Sequence, residues 1–171
     1  MKKIKTLVTY LEMCAQRPTQ SINLPDGMQL QLKENIKIEH YREIYNAIGQ
    51  QYFWVSREKL SDEELGKIIH HPNVKIYFLY DDNKPIGFFE INSKNHPRSV
   101  EISFIGLVNS AIGHGLGKIL TQLAIKQAWS HKAGRIIIQT CTLDHKHALP
   151  LYQKLGFKAY NRHTAEITLS D

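Results

Sequence analysis

Cysteine is scarce in this sequence, and the spacing of the two that occur excludes two classes of small protein. Cys14 and Cys141 stand far apart, and neither belongs to a CxxC pair or to a Cys/His zinc-finger spacing. This pattern excludes a disulfide-stapled scaffold and a zinc ribbon. It predicts two free thiols in a reducing compartment.

Long apolar runs are also lacking. No segment approaches the ~20 consecutive apolar residues that a membrane-spanning helix needs. The basic start, Met1 to Lys5, is similar to the beginning of a signal peptide. However, Glu12 interrupts the apolar run that follows it, and no small-residue cleavage site appears. We therefore expect a cytoplasmic protein without a membrane partner.

Basic residues are in excess, but they form no cluster. The net charge is +6 and the pI is near 9.3, which suits a polyanionic ligand. Because no run of five or more basic residues occurs, a nucleic-acid-binding tail is not indicated. A basic nucleic-acid-binding domain has only the net charge in its favour, so we expect no nucleic-acid partner.

The 171 residues are enough for one domain that buries about 70% of its unfolded surface. Residues 1–25, which contain Pro18 and Pro25, predict an N-terminal arm, and residues 26–171 predict the domain. Periodicity predicts a strand, two helices, three antiparallel strands, a helix, a strand, a short helix and two closing strands near 157–160 and 165–169. The clearest helix signals are an apolar stripe and a capping box, formed by Tyr41, Ile44, Tyr45 and Ile48 and by Ser61 with Glu64.

Glycines at alternate positions separate the central predicted strand, Val100 to Val108, from the helix that follows it. They are Gly113, Gly115 and Gly117. The first-turn amides of such a helix attract phosphate, because they have no acceptor within the helix. A Rossmann fingerprint needs glycine where Lys118 stands, and a P-loop needs glycine where Ile112 stands. Neither of those phosphate-binding templates fits.

Two motifs of this chain resemble signatures of the GNAT acetyltransferases. Gly115 and Gly117 match the family's acyl-CoA pyrophosphate loop, Gln/Arg-x-x-Gly-x-Gly/Ala, although Ile112 stands where Gln or Arg is expected. Ala148 to Phe157 matches the second signature, roughly A-x-x-L-Y-x-K-x-G-F. The resemblance covers roughly residues 28–160 and looks like a bacterial subgroup. It implies an α/β (α+β) fold with a mixed, mostly antiparallel sheet of about six to seven strands, flanked by about four helices.

The resemblance implies acetyl transfer from the co-substrate acetyl-CoA to a primary amine, by direct attack in a ternary complex. The splayed end of the central strand would pair with the pantetheine arm through Ile105, Leu107 and Val108. The pyrophosphate would be held by the loop Gly113, His114, Gly115, Leu116, Gly117 and Lys118. His145 stands where the family often has a pantetheine-binding asparagine.

Three catalytic candidates follow from the same resemblance. Tyr152 matches the tyrosine that protonates the departing CoA thiolate, with core packing beside Phe157 as the alternative. Glu101 is the first choice of base and Glu90 the second, with a solvated strand carboxylate as the alternative for each. A GNAT-fold acyl-CoA-binding or protein-interaction module without turnover is the alternative function, because both Ile112 and His145 depart from the family pattern.

Several aromatic residues lie where GNATs build the acceptor pocket, and the resemblance makes three of them the candidates for the acceptor site: Tyr52, Phe53 and Trp54. Periodicity assigns Tyr41 and Tyr45 to core packing instead. The acceptor is expected to be a small-molecule or peptide amine, and the resemblance makes a homodimer possible. The stretch from Asp144 to His147 might suggest a metal site, but no third ligand with recognisable spacing supports it, so no metal is predicted.

Overall fold

One seven-stranded sheet forms the centre of the protein. The computed structural model describes residues 2–18 and 20–169. The strands are β1 Lys2–Met13, β2 Met28–Leu32, β3 Val74–Asp81, β4 Lys84–Asn92, β5 Val100–Leu107, β6 Ile136–Cys141 and β7 Lys158–Leu169. Their order across the sheet is β2-β3-β4-β5-β6-β1-β7, and every neighbouring pair is antiparallel except β5 and β6.

Four α-helices cover the two faces of this sheet. They are α1 Ile38–Gly49, α2 Asp62–Ile69, α3 Leu116–Trp129 and α4 Ala148–Leu155. The first two bury their apolar stripes against β3 and β4, in a cluster that includes Tyr41, Phe78 and Phe88. The third and fourth pack on the opposite face, in a cluster that includes Leu120 and Ile102. The predicted fold class, a mixed sheet of six to seven strands with four helices, is confirmed.

Local signals in the sequence produced the helix ends that they predict. The Ser61 hydroxyl accepts from the Glu64 N–H, and the Glu64 carboxylate accepts from the Ser61 N–H, which is the predicted capping box of α2. Gly156 ends α4 in the left-handed conformation at φ +112°. None of the helices in residues 2–18 and 20–169 combines the length and the apolar character needed to cross a bilayer.

Residues 2–13 do not form the predicted arm. They make β1, an interior strand that pairs with β6 on one edge and with β7 on the other. Glu12, which interrupts the apolar run in the sequence, forms an ion pair with Arg135. Glu12 stays in the ladder, opposite Ile137 of β6 and Lys158 of β7, so its charge does not end the strand. Met1 and Thr19 of the predicted arm lie outside the described residues.

The end of the described chain also differs from the prediction. One continuous strand, β7, replaces the two predicted closing strands. Its polar stretch, residues 161–164, pairs with residues 7–10 of β1 and is exposed at the edge of the sheet. Polar side chains keep their hydration at such an edge, so the stretch continues the ladder instead of breaking it.

The parallel contact between β5 and β6 is short, and this positions the site. The two strands pair only at Val100↔Ile136, Glu101↔Ile137 and Ile102↔Ile138. Beyond these pairs β5 continues to Leu107 and β6 to Cys141 without a ladder between them. The strands therefore splay, and a V-shaped gap opens at the centre of the sheet.

Candidate functional site

A cavity of about 770 Å³ occupies the gap between β5 and β6. One end lies at the glycine loop before α3, and the wall continues past α4 to the segment after α1. The strands β1 and β7 also contribute to it, through Thr6, Val8, Ala165 and Ile167. A cavity of this size that crosses a sheet can hold an elongated ligand with chemically different ends.

The glycine loop leaves open space in front of the first turn of α3. Gly113 and Gly115 adopt φ values of +88° and +77°, which side-chain-bearing residues rarely adopt. Among the described residues, no heavy atom beyond the adjoining ones lies within 4 Å of a Cβ built on either glycine. A phosphate can therefore approach the backbone closely at this helix N-terminus.

The other loop residues contribute in different ways. Gly117 and Lys118 line the cavity, and Lys118 adds a positive charge. His114 is exposed, and its side chain does not line the cavity. The Leu116 side chain is buried in the core beneath the loop, so only its backbone can contact a ligand.

Backbone groups on one edge of β5 face the gap. Because the Val108 N–H donates to the Ile86 carbonyl at 2.8 Å, alternate residues back along β5 also face β4. The backbone groups of Ile105 and Leu107 therefore point towards β6, where the ladder has ended, and can pair with an extended ligand. Val108 does not fit its predicted role, because its carbonyl also accepts from the Ala111 N–H at 2.9 Å. Both of its backbone groups are used where the chain turns out of the strand.

Tyr152 lies in α4 and forms part of the cavity wall. Its ring packs edge-on against Phe157, with 6.2 Å between ring centroids. Within residues 2–18 and 20–169, no hydrogen bond engages its hydroxyl group, although the ring is buried. Burial raises the pKa of Tyr152, and the negative charge of Asp144 raises it further. The phenol is therefore protonated at neutral pH and can donate into the cavity.

His145 also lines the cavity, before the start of α4. Its Nδ1 accepts a hydrogen bond from the His147 N–H at 3.2 Å, which leaves Nε2 as the ring nitrogen free to meet a ligand. Asp144, His145 and His147 do not make a metal site. Within the described ranges, no group of three His, Cys, Asp or Glu side chains has an arrangement that could hold a metal ion.

Glu90 and Glu101, the two predicted bases, do not line this cavity. Glu90 is fully buried, with Oε1 2.6 Å from Arg57 Nη2 and Oε2 accepting from the Tyr41 hydroxyl at 2.7 Å. Glu101 lines a separate polar cavity of about 100 Å³ together with Lys94. Burial raises the pKa of Glu101, and the charge of Glu90 raises it further. The roles of Glu90 and Glu101 as bases stay predictions. The contacts of Glu90 do not support its role, because both of its oxygens already have partners.

The three predicted acceptor-site aromatics line the cavity, and Tyr52 and Trp54 pack with the α1 and α2 cluster, on the face of the sheet opposite α3. Tyr52 ends a 3₁₀ turn, and Phe53 adopts a left-handed conformation at φ +58°. Trp54 then packs over Gly49, whose ideal Cβ would lie 2.6 Å from the indole ring. The absence of a side chain at Gly49 therefore fixes the position of Trp54. The periodicity of α1 did not predict this contact between Gly49 and Trp54.

Asp144 is a cavity residue that the sequence analysis did not select. It follows β6, and its Oδ2 accepts from the Thr140 hydroxyl at 2.7 Å and from the Cys141 N–H at 2.9 Å. Its Oδ1 lies 3.4 Å from the Trp54 indole nitrogen. The sequence gives one signal for this arrangement. Asp144 follows Cys141 by three residues and Thr140 by four, and an aspartate close to such donors is common in turns.

Comparisons with known proteins show the family and the fold of this chain. The model of the acetyltransferase (GNAT) family matches residues 41–157, more than half of the chain. Mycothiol acetyltransferases are similar over shorter stretches. That of Jonesia denitrificans is 33% identical over 78 residues, 46% of this chain and 24% of that protein. That of Corynebacterium efficiens is 32% identical over 88 residues, 52% of this chain and 29% of that protein.

The chain thus spans less than a third of the length of these two curated relatives. Among solved structures, a GCN5-related N-acetyltransferase from Sphaerobacter thermophilus superposes with a TM-score of 0.70 at 14% identity. The match covers 94% of this chain and 51% of that chain. At this identity the superposition shows a shared fold.

Proposed function

The chain belongs to the GNAT family of acetyltransferases, and from this we propose that it transfers an acetyl group from acetyl-CoA to a primary amine. The amine is a small molecule or part of a peptide. The observation that carries the proposal is the gap between β5 and β6, which joins an open helix N-terminus to a buried tyrosine hydroxyl. A location in the cytoplasm and a homodimer stay predictions.

The residues present fit the parts of acetyl-CoA. The backbone amides from Gly113 to Lys118 would hold the pyrophosphate, because the space before them is open and the helix end is electropositive. The free edge of β5 at Ile105 and Leu107 would pair with the amides of the pantetheine arm. Ile112 packs on the core and adds no polar group, so the backbone carries the phosphate contact.

The proposed reaction forms one bond and breaks another. The amine nitrogen bonds to the thioester carbonyl carbon, the carbon–sulfur bond breaks, and the ammonium proton is released. Tyr152 supplies the proton that the sulfur takes, and it regains one from solvent. A tyrosine is protonated at neutral pH even at its ordinary pKa, and the raised pKa of Tyr152 makes it a weaker acid, so the transfer depends on the basicity of the departing sulfur. Glu101, the predicted base for the ammonium proton, lines a separate cavity, so that role would require water to carry the proton between the two.

Thermal unfolding tests the co-substrate directly. A ligand at 100 times its Kd adds about 2.7 kcal/mol to the free energy of unfolding. For a domain of this size that raises Tm by roughly 5–11 °C. We expect acetyl-CoA and CoA to give this shift and ATP and NAD to give none. Thiol release with a panel of primary amines then tests turnover, and absence of any shift at saturating acetyl-CoA would refute the proposal.

A matched pair of variants assigns the shift to the glycine loop. Gly115→Ala places a methyl group in the open space and strains a backbone at φ +77°. Gly27→Ala imposes similar backbone strain at φ +80°, in the turn before β2 and away from the cavity, and its methyl group must also displace the Asp82 carboxylate oxygen 2.9 Å away. Both variants should be less stable without ligand, but Gly115→Ala alone should lose most of the acetyl-CoA shift. Equal shifts in the two variants would place the pyrophosphate elsewhere.

A further inference from the structure

The Asp144 carboxylate is held in one orientation by its own turn. The Thr140 hydroxyl and the Cys141 N–H both donate to Oδ2, at 2.7 and 2.9 Å. The other oxygen, Oδ1, has only the long contact of 3.4 Å from the Trp54 indole nitrogen. Because a carboxylate can accept about four hydrogen bonds, Oδ1 retains capacity for a further donor on the cavity side.

Aromatic rings stand beside this free oxygen. Trp54 and Phe104 have ring centroids 5.3 Å apart, and Tyr52 lies 6.4 Å from Trp54. All three rings line the cavity. A carboxylate next to aromatic rings suits an ammonium group that carries an apolar substituent, since the ion pair is partly desolvated and the rings attract cations.

Charge is unevenly distributed along the cavity. Asp144 is the one carboxylate among the described residues that line it, whereas Lys118 lines it at the glycine loop and Lys146 lines it two residues after Asp144. The nearby Arg57 is already paired with Glu90 and does not neutralise Asp144. Within the described lining, Asp144 is thus the anionic side chain that an ammonium group in the cavity can pair with.

We propose that Asp144 binds the reacting ammonium group of the acceptor, with the adjoining apolar part of the acceptor against Tyr52, Trp54 and Phe104. This inference rests on the proposed function and adds the class of acceptor: a cationic amine whose amino group is attached to an aromatic or other apolar group. The charge of Asp144 also contributes, after burial, to the raised pKa values of Tyr52 and Tyr152. Asp144 lines the same cavity as the acceptor aromatics and the proposed proton donor.

Two probes of the same shape show whether the charge of the ligand or its size determines binding. Benzylamine is protonated at neutral pH, and benzyl alcohol is its neutral counterpart. Binding is measured to the CoA-saturated protein by calorimetry, with quenching of the indole fluorescence as a second readout. We expect wild-type protein to bind benzylamine about 10- to 100-fold more tightly than benzyl alcohol, because a charged hydrogen bond is made only with the amine.

Asp144→Asn is the informative variant, because its amide oxygen can still accept from Thr140 and Cys141. It should lose the preference for benzylamine and keep the thermal shift with acetyl-CoA. With any amine that is turned over, it should raise the KM of the amine and leave the KM of acetyl-CoA unchanged. Asp81→Asn, an exposed change of the same kind at the end of β3, is the control and should behave as wild type.

Several outcomes would overturn the inference. They are equal affinity of the wild-type protein for the two probes, no binding of benzylamine at all, or an unchanged preference in Asp144→Asn. The wild-type comparison decides the question even if the variant does not fold. Failure of the proposed function looks different: the benzylamine preference is present and depends on Asp144, but acetyl-CoA gives no shift and no thiol is released.

Discussion

Replacing Glu90 by glutamine tests whether the Glu90 carboxylate stabilises the fold or is available as a base. Glu90 is fully buried, and the Arg57 side chain that contacts it is only 13% exposed. Both charges are therefore largely removed from water, and solvent screening of the pair is weak. Glutamine keeps the shape of the side chain and an oxygen that can accept from Tyr41, but it leaves the guanidinium without its counter-charge.

The expected cost follows from that uncompensated charge. Removing one partner of a buried ion pair costs about 3–5 kcal/mol. Glutamine preserves one neutral hydrogen bond, so we expect the lower end, about 3 kcal/mol. For a domain of this size the loss corresponds to a decrease in Tm of roughly 6–12 °C. Urea unfolding followed by circular dichroism measures the free energy directly.

A double variant checks the origin of the loss. In Glu90→Gln with Arg57→Met the unpaired cation is gone, and the glutamine still accepts from Tyr41. Methionine can occupy part of the space over Phe104, where the guanidinium carbon now lies 5.2 Å from the ring centroid. The double variant should therefore recover most of the stability that the single change removes.

Two results would contradict this reasoning. A change of less than about 0.5 kcal/mol in Glu90→Gln would mean that the ion pair is not desolvated as its burial implies. A double variant less stable than Glu90→Gln would mean that Arg57 stabilises the fold by packing and not by charge. In either case kcat is measured across pH, because loss of the acidic limb in Glu90→Gln would restore Glu90 as a base.

Three further changes test the site. Tyr152→Phe should lower kcat by about 10²–10⁴-fold with little effect on acetyl-CoA affinity; unchanged kcat would exclude the tyrosine as proton donor. Glu101→Gln should raise Tm at neutral pH, because a pKa raised by burial and by Glu90 means that the ionised form destabilises the fold. The gain should shrink as pH falls and Glu101 takes up its proton, and a pH-independent gain would contradict this cause. Gly49→Ala should displace the Trp54 indole, shift its fluorescence and raise the acceptor KM more than the acetyl-CoA KM; equal increases would argue against an acceptor-site role.

Local sequence signals predicted the parts of the fold whose causes are local. Ser61 and Glu64 satisfy each other within one helical turn, and the glycines before α3 permit positive φ without help from distant residues. The interior position of β1 could not be found in this way. It depends on the ladders that β1 forms with β6 and β7, whose residues lie more than a hundred positions away along the chain.

In the candidate site, too, the features with local causes could be predicted and those that depend on distant residues could not. The backbone cradle at Gly113 to Lys118 and the direction of Ile105 and Leu107 follow from strand and helix geometry. Asp144 was missed because its role depends on Trp54, which a different part of the chain brings to the cavity. Glu90 was selected by its strand position, but its oxygens are taken by side chains from other segments.

The interior position of β1 has a consequence for the order of folding. Its contacts join residues that are very far apart along the chain, such as Val8 with Cys141 and Leu7 with Thr164. Loop closure across such separations is slow, and it follows the formation of local contacts. On the ribosome β1 emerges before both of its neighbours and must wait for them. We therefore expect the β2–β5 portion to form first, and the cavity to acquire its β1 and β7 wall only in the last step of folding.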